Sequence, residues 1–402
     1  MNAPIIPKAP GDIDTSFGID GLAPFPVDLR IIKTKILNDG NILTCGAEEQ
    51  GASIWLVRHL PTGQIDTSFG EQGTVRINPP HPGQAGALNL WPMADDSVLV
   101  TAAMGSYLTS LAVVFRMLPN GEMDSDFGVS GYCTLHLGKP GNTISDAVLP
   151  SDGKVVLHMT TSDPDDMSSQ NYLVRLDNGH LDPSFGDSGS GLVAVGNGEM
   201  IDFLLLANGS FLQGTIASGF SALIFRQYLP DGKPDPAFGN GGETRLAIEN
   251  GQIEAFEMLL QPDDRIVVVG SAELGLGIHC MITRLDPDGS MDMTFNGGEP
   301  KIMVFQGYET QGIVVALQAD GKLVIGGQSI GTVETHNFVL MRFTANGGLD
   351  GSFGNNGQVM TDYGGMDSCR MLAVQEDGNL LAAVVNPMAA QGRFYLLTRY
   401  FA

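Results

Sequence analysis

Apolar residues along the chain gather in short runs of five to eight positions, rich in Val, Ile, Leu and Phe and broken by Gly, Asp, Asn and Pro. Runs of that length between turn formers predict β-strands, and no stretch holds a capped 3.6-residue apolar period, so no helix is expected. The breaks recur. An acidic or amide turn precedes an apolar run at Asp39-Gly40, Asp95-Asp96, Asp152-Gly153, Asn208-Gly209, Asp263-Asp264, Asp320-Gly321 and Asp377-Gly378. Such pairs tolerate positive φ and mark hairpins. A second kind of apolar run ends in Arg, at Arg58, Arg116, Arg175, Arg226, Arg284, Arg342 and Arg399.

A third signal keeps the same period. Gly-x-x-Asp-x-x-Phe occurs seven times, with Asp14, Asp66, Asp124, Asp182, Asp235, Asp292 and Asp350 spaced 52 to 58 residues apart. Each unit reads as four short strands, in the second full unit roughly 87–94, 97–103, 111–118 and 124–137. Four strands in each of seven units predict an all-β, seven-bladed β-propeller of four-stranded antiparallel blades. One domain, 1–402, then divides into units 23–78, 79–137, 138–194, 195–247, 248–304, 305–360, and 361–402 joined to 11–22. Asp14 to Gly18 reads as a fourth strand lacking its first three, and Tyr395 to Phe401 as a third strand lacking its fourth. The N-terminal strand is therefore expected to complete the last blade and close the ring, which removes exposed sheet edges.

These units resemble the bacterial delta-60 repeat, on Asp320-Gly321-Lys322 with Leu349-Asp350-Gly351-Ser352-Phe353-Gly354, and on Leu181-Asp182-Pro183-Ser184-Phe185-Gly186. The resemblance covers nearly the whole chain and implies a propeller-like array, often secreted or surface-bound; it carries no settled activity and no catalytic residues. One unit departs from it, reading Phe295-Asn296-Gly297-Gly298, one residue short.

Features present seven times at one period read as architecture. The Phe is expected to pack between blades, and Arg and Asp, as in Arg58 with Asp66, to pair across a hairpin. A unique site must come from columns where the repeat breaks. Counting back six residues from each turn gives Lys33, Asn89, Asp146, Asp202, Glu257, Val314 and Met371 on the innermost strands. Asp146, Asp202 and Glu257 put carboxylates on three consecutive blades, with Lys33 opposite. At the channel mouth on the variable-loop face they could hold a divalent cation such as Ca2+, or serve as acid and base. The bland reading is hydrogen bonding to backbone or channel water. His158, beside Asp146, is a candidate proton-transfer residue or a core histidine. Asp163, Asp165 and Asp166, in the long connection 160–171, form a second candidate cation site or a solvated acidic loop. Trp91 reads as a sugar-stacking platform or as packing between blades.

Charge narrows the partners. With 45 acidic against 21 basic residues among 402, the formal charge of −24 argues against nucleic acid and anionic membrane surfaces. No apolar run is long enough to span a membrane. The four cysteines are isolated, which predicts buried free thiols, and positions 1–10 carry no apolar signal core. Cytoplasmic residence, or export without a cleaved signal peptide, is expected, as is a monomer. The sequence points to a rigid binding module for a protein or glycan partner, acting through the variable-loop face and channel mouth, with no cofactor required. The alternatives are a metal-assisted hydrolase or lyase built on the channel carboxylates, and a purely structural propeller.

Overall fold

The computed structural model describes residues 8–26, 29–47, 53–78, 80–81, 85–106, 109–186, 189–275, 277–305, 307–331, 336–386 and 395–402. Seven antiparallel sheets follow one another along the chain, each running from an inner to an outer strand. The inner strands are Arg30–Ile36, Ala85–Pro92, Gly141–Val148, Glu199–Leu205, Gly251–Leu260, Glu309–Leu317 and Ser368–Val374, which begin blades 1 to 7. Each touches the inner strands of both neighbours, and these contacts close a ring. The chain is thus a seven-bladed β-propeller of four-stranded blades.

Closure runs through the N-terminal segment, by a shorter strand than expected. The outer strand of blade 7 is Leu22–Ala23, paired with Thr398 and Leu397. Asp14 to Gly18 is not itself that strand. It forms a turn that delivers it, held where the Asp14 amide donates to the Arg399 carbonyl (2.7 Å). The same correction applies in blade 2. Asp124 to Phe127 is a turn, and the outer strand is only Tyr132–Leu135.

The apolar pattern is consumed at the junctions between blades. Seven separate clusters of buried side chains each join two neighbours, and each contains one repeat phenylalanine: Phe17, Phe69, Phe127, Phe185, Phe238, Phe295 or Phe353. Second strands such as Ile42–Ala47 and Phe211–Ile216 are buried on both faces, because a blade packs against a neighbour on each side. That is why their sequences read as continuous apolar runs rather than alternation. Trp91 lies in the cluster between blades 2 and 3, only 8 % exposed, so it is packing and not an open sugar platform. The four cysteines are free and buried, and burial pushes each thiol well above its ordinary pKa.

The repeated Arg, Asp, Phe and Gly form one inter-blade latch. Arg58 Nε donates to Asp66 (2.7 Å), its guanidinium lies 4.4 Å over Phe69, and its Nη1 reaches the Pro119 carbonyl of the next blade (2.7 Å). The aspartate's other oxygen caps its own turn through Ser68. The following unit's glycine seats on the phenylalanine: a Cβ on Gly63 would stand 2.7 Å from the Phe17 ring, at φ +83°. Blade 4 departs from the expected pattern. The residue whose carbonyl receives the Asp235 amide is Gln227, which also bonds the Asp235 carboxylate (2.8 Å). Arg226 lies one position earlier, points to the other face of the sheet and pairs with Glu243 (2.9 Å).

Turn chemistry sorts the two ends of the ring. In every blade the first turn residue's side chain accepts the backbone amide two positions on, as Asp39 does from Asn41 (2.9 Å). The next residue adopts positive φ, and at two turns this is Asp96 or Asp264 rather than glycine. These short turns and the third-to-fourth turns share one face, where Gln375 of blade 7 bonds the Pro61 carbonyl of blade 1 (3.1 Å). The opposite face carries connections of unequal height.

Candidate functional site

The aligned column lands on a structural irregularity common to all blades. Each inner strand shifts register immediately before it: between Ile31 and Lys33, Ala87 and Asn89, Ile144 and Asp146, Met200 and Asp202, Ala255 and Glu257, Gly312 and Val314, and Cys369 and Met371. A bulge of this kind takes backbone groups out of the ladder and re-aims a side chain. The column therefore rings the channel wall. It lies within three residues of the end of each inner strand that enters the tight turn, so it sits partway down the channel rather than at its variable-face mouth.

Three consecutive carboxylates then clasp three consecutive junctions. Asp146 accepts the Phe203 amide of blade 4 (3.2 Å), Asp202 the Met258 amide of blade 5 (2.8 Å), and Glu257 the Val315 amide of blade 6 (2.5 Å). In each case the donor is the residue just after the next blade's column position. Asp146 and Asp202 also accept the amide of their own following residue, as Asn89 does from Leu90 (2.9 Å). These oxygens satisfy inner-edge N–H groups that would otherwise point into the channel.

The electrostatics is not that of ordinary surface acids. Burial first, and the Asp202 charge second, push Asp146 well above the usual carboxylate range. Burial pushes Glu257 up to about 7, against the pull of Lys33 and Lys35. Lys35, two residues beyond the column, is lowered by burial and by Lys33 while Glu257, Asp146 and Asp202 act the other way. Lys35 was not singled out in the sequence, although alternation along the strand places it on the same face as Lys33.

These shifts set a pH dependence. The folded pKa of Glu257 exceeds its ordinary value of 4.5, so the native state binds more protons than the unfolded chain between about pH 4.5 and 7, and stability falls as pH rises through that window. Glu257→Gln keeps an acceptor for the Val315 amide and removes the charge. It is expected to raise stability at pH 8 by on the order of 2 kcal/mol and to flatten the thermal midpoint between pH 5 and 8. An unchanged slope in the variant would show that Glu257 is ionised without strain.

His158 is placed beside Asp146 by strand register, but its side chain turns away. Its Nε2 meets the Gln213 amide (2.9 Å), and Gln213 accepts from the Tyr228 hydroxyl (3.1 Å). Burial lowers its pKa to about 4, so it is a neutral core residue bridging blades 3 and 4. The proton-transfer role to Asp146 has no contact behind it.

The second acidic site is not an open loop. Val155–Asp163 and Ser168–Asp177 form one long hairpin with a short turn. Lys139 bridges Asp163 (3.1 Å) and Asp166 (3.5 Å), while Asp163 also caps the Asp165 amide (3.1 Å). One lysine thus offsets part of the charge of Asp163 and Asp166. Among the described residues, no group of three or more His, Cys, Asp or Glu is arranged to hold a metal ion.

The variable face offers a recess that sequence reading missed. Hairpins Val155–Asp163/Ser168–Asp177 and Ile266–Leu274/Gly277–Leu285 stand tall on blades 3 and 5, while Phe211–Ile216/Leu223–Tyr228 on blade 4 is short. Beside the step, a cavity of about 160 Å3 is lined by Phe220, Gln252, Glu254, Ser271, Glu273 and Gln311. Phe220, at the tip of the blade 4 hairpin, is 38 % exposed. Burial and the neighbouring Glu199 charge raise the pKa of Glu254. The unequal strand lengths were the available signal, but they acquire meaning only when blades 3, 4 and 5 stand side by side.

Comparison with known proteins agrees at the level of the fold. Residues 261–295 and 318–353 match a family model described as "Domain of unknown function (DUF5122) beta-propeller". No curated protein matches the chain. Among solved structures, Drosophila Semaphorin 2a superposes over 98 % of this chain and 76 % of its own, at 7 % identity and a TM-score of 0.53. The polysaccharide lyase Uly1 covers 96 % and 92 %, at 9 % identity and a TM-score of 0.48. A PQQ-bound aldose sugar dehydrogenase from Streptomyces coelicolor covers 80 % and 93 %, at 12 % identity and a TM-score of 0.43. The chain is a β-propeller repeat protein. None of its described helices is long and apolar enough to cross a membrane.

Proposed function

We propose that the chain is a rigid binding module, of delta-60 repeat type, whose variable-loop face takes a protein or glycan partner at the recess beside blade 4 and the adjoining channel mouth. One observation carries this reading. The features repeated around the ring are engaged in holding blades together, whereas the exposed aromatic Phe220 and the acceptors Gln252, Glu254 and Gln311 converge where the repeat is broken. An aromatic face ringed by amide and carboxylate oxygens suits sugar hydroxyls stacked on Phe220, or a cationic side chain on a partner. The net charge of −24 selects neutral or basic ligands. A neutral glycan array probed with the full chain, beside a set of basic peptides, tests this. Phe220→Ala is expected to weaken any binding at least tenfold without lowering the thermal midpoint. Binding that survives Phe220→Ala, or no binding to either set, overturns it.

A second reading, an acid–base enzyme of hydrolase or lyase type with or without a divalent cation such as Ca2+, draws support from the raised carboxyl pKa values of Asp146 and Glu257 on neighbouring inner strands. It requires substrate to descend the channel to the column. The bonds these carboxylates make to neighbouring blades already account for them as scaffold, so the binding module is preferred.

A further inference from the structure

The channel wall carries its two signs of charge on opposite blades. Three residues before the column, nearer the variable-face mouth, Arg30 stands on blade 1 and Glu199 and Glu254 stand on blades 4 and 5. In a ring of seven, blades 4 and 5 are the ones that face blade 1. The column repeats the division, with Lys33 on blade 1 and Asp202 and Glu257 on blades 4 and 5. Lys35 feels the charges of Glu257, Asp146 and Asp202, and Asp146 and Glu257 feel that of Lys33. These side chains therefore face one another across the channel.

The cations on this wall are unengaged. In a chain with 21 basic residues against 45 acidic, the repeat arginines are ion-paired, as Arg284 is with Asp292 (2.6 Å). Arg30, Lys33, Lys35 and Arg370 make no ion pair or side-chain hydrogen bond among the described residues. Arg370 occupies the bulge of blade 7, beside blade 1, and is exposed although it lies on an inner strand, so it opens onto the channel. On the far wall Glu199 and Glu254 likewise have no bonded side-chain partner among the described residues. Burial and the Glu199 charge raise the pKa of Glu254. The side of the channel that joins these walls through blades 6 and 7 is apolar. Val314 and Met371 hold the column there, and Phe256, at the bulge of blade 5, packs against the cluster of those two blades.

We propose that the channel mouth binds a small zwitterion, its carboxylate on Arg30 and Arg370, its ammonium between Glu199 and Glu254, and its apolar middle against Phe256. A plain anion held by the arginines would meet the carboxylates opposite, and a plain cation would meet the basic wall. A molecule carrying both charges engages the unpaired groups of both walls and relieves the repulsion between Glu199 and Glu254. Guanidinium groups offer planar paired donors that suit a carboxylate. The column carboxylates keep their bonds to the amides of the next blade, so the ligand rests on the mouth side of them. Glu254 also borders the Phe220 recess, but Phe220 has no part in this site, and variants separate the two.

The probes are ω-aminohexanoate, hexanoate and hexylammonium, titrated calorimetrically into the full chain at low salt, where charge pairing is least screened. The zwitterion is expected to bind at least tenfold more tightly than either singly charged analogue. Arg30→Gln is expected to bring its affinity down to the hexylammonium level, and Glu254→Gln to the hexanoate level. Neither side chain has a bonded partner to lose, so the thermal midpoint is expected to hold in both variants. A series from glycine to aminooctanoate covers the span between the walls, and no binding by any member at millimolar concentration overturns the proposal. Equal affinities for the zwitterion and hexylammonium, or undiminished binding by a folded Arg30→Gln variant, do the same. Binding lost in Phe220→Ala but kept in Arg30→Gln would place the ligand in the recess, overturning the channel site alone.

Discussion

Removing residues 1–23 opens the ring. The truncated chain is expected to aggregate or to melt at least 10 °C below the full protein, because three kinds of interaction leave together. Blade 7 loses its outer strand, Leu22–Ala23, and the Ile13 bridge to Tyr400, which exposes the edge of Tyr395–Tyr400 to other chains. The junction between blades 7 and 1 loses Phe17, which is fully buried; a side chain of that size is worth about 3–5 kcal/mol. Arg399 loses Asp14, its partner across 385 positions of sequence, and keeps only the longer pairing with Asp377 (3.5 Å), at a cost of about 2 kcal/mol. Together these approach the whole stability of an ordinary domain, about 5–15 kcal/mol. The measurement is thermal unfolding with light scattering. A soluble truncated chain with the full-length midpoint would mean that the ring does not depend on this closure.

Arg58→Met carries the second large effect. Arg58 and Asp66 are both close to buried, and no other cation is paired with Asp66 among the described residues. The variant strands that carboxylate, frees the Pro119 carbonyl and removes the cation from the Phe69 ring. A loss of about 3 kcal/mol is expected in urea unfolding at pH 7, with an unchanged slope against denaturant. Arg226→Met is the internal control. Arg226 pairs with the partly exposed Glu243 and not with the repeat aspartate, so less than about 1 kcal/mol is expected. Equal losses in the two variants would show that the latch is not what distinguishes them.

The same pairs fix the acid limb of stability. Burial opposes ionisation of Asp66, but hydrogen bonds from Ser68 and from Arg58 outweigh it and hold the pKa below its ordinary 3.8; Asp350 is held down to about 2 in the same way. A depressed carboxyl contributes stability above its unfolded pKa and loses it as pH falls through the folded one. The ring is therefore expected to weaken below about pH 4, as these groups take up protons. The Glu257 contribution has the opposite sign and a separate window, from about pH 4.5 to 7.

Much of the fold was legible in the linear chain, because what builds a propeller is local and repeated. Four runs per unit, the turn pairs and the Asp-x-x-Phe step each describe contacts within a hairpin or between consecutive units, so a single period exposes them. The register of the inner two strands was legible for the same reason: Asp146 faces His158 and Asp202 faces Gly214 as the offset from the turn requires. Two misreadings mark where local pattern ends. Arg226 matches the motif by residue type, yet the Asp235 amide selects Gln227; one position along a strand reverses the face, and only the hydrogen-bond ladder shows which position is in phase. The span from Asp124 to Leu135 is apolar enough for one strand, but a turn occupies its first half.

The chemistry of the candidate sites was decided by the tertiary structure. Carboxylates on three neighbouring blades were visible as residue types, but whether they bind a ligand or clasp a backbone depends on a bulge and on amides some 57 positions away, of which the sequence holds no local trace. Their proton affinities follow from the burial and mutual repulsion that ring closure imposes. The Phe220 recess is likewise a difference between neighbouring blades, one of strand height. Repetition in the sequence states what every blade shares; a site arises from how unlike blades stand beside one another, and that exists only once the ring has closed.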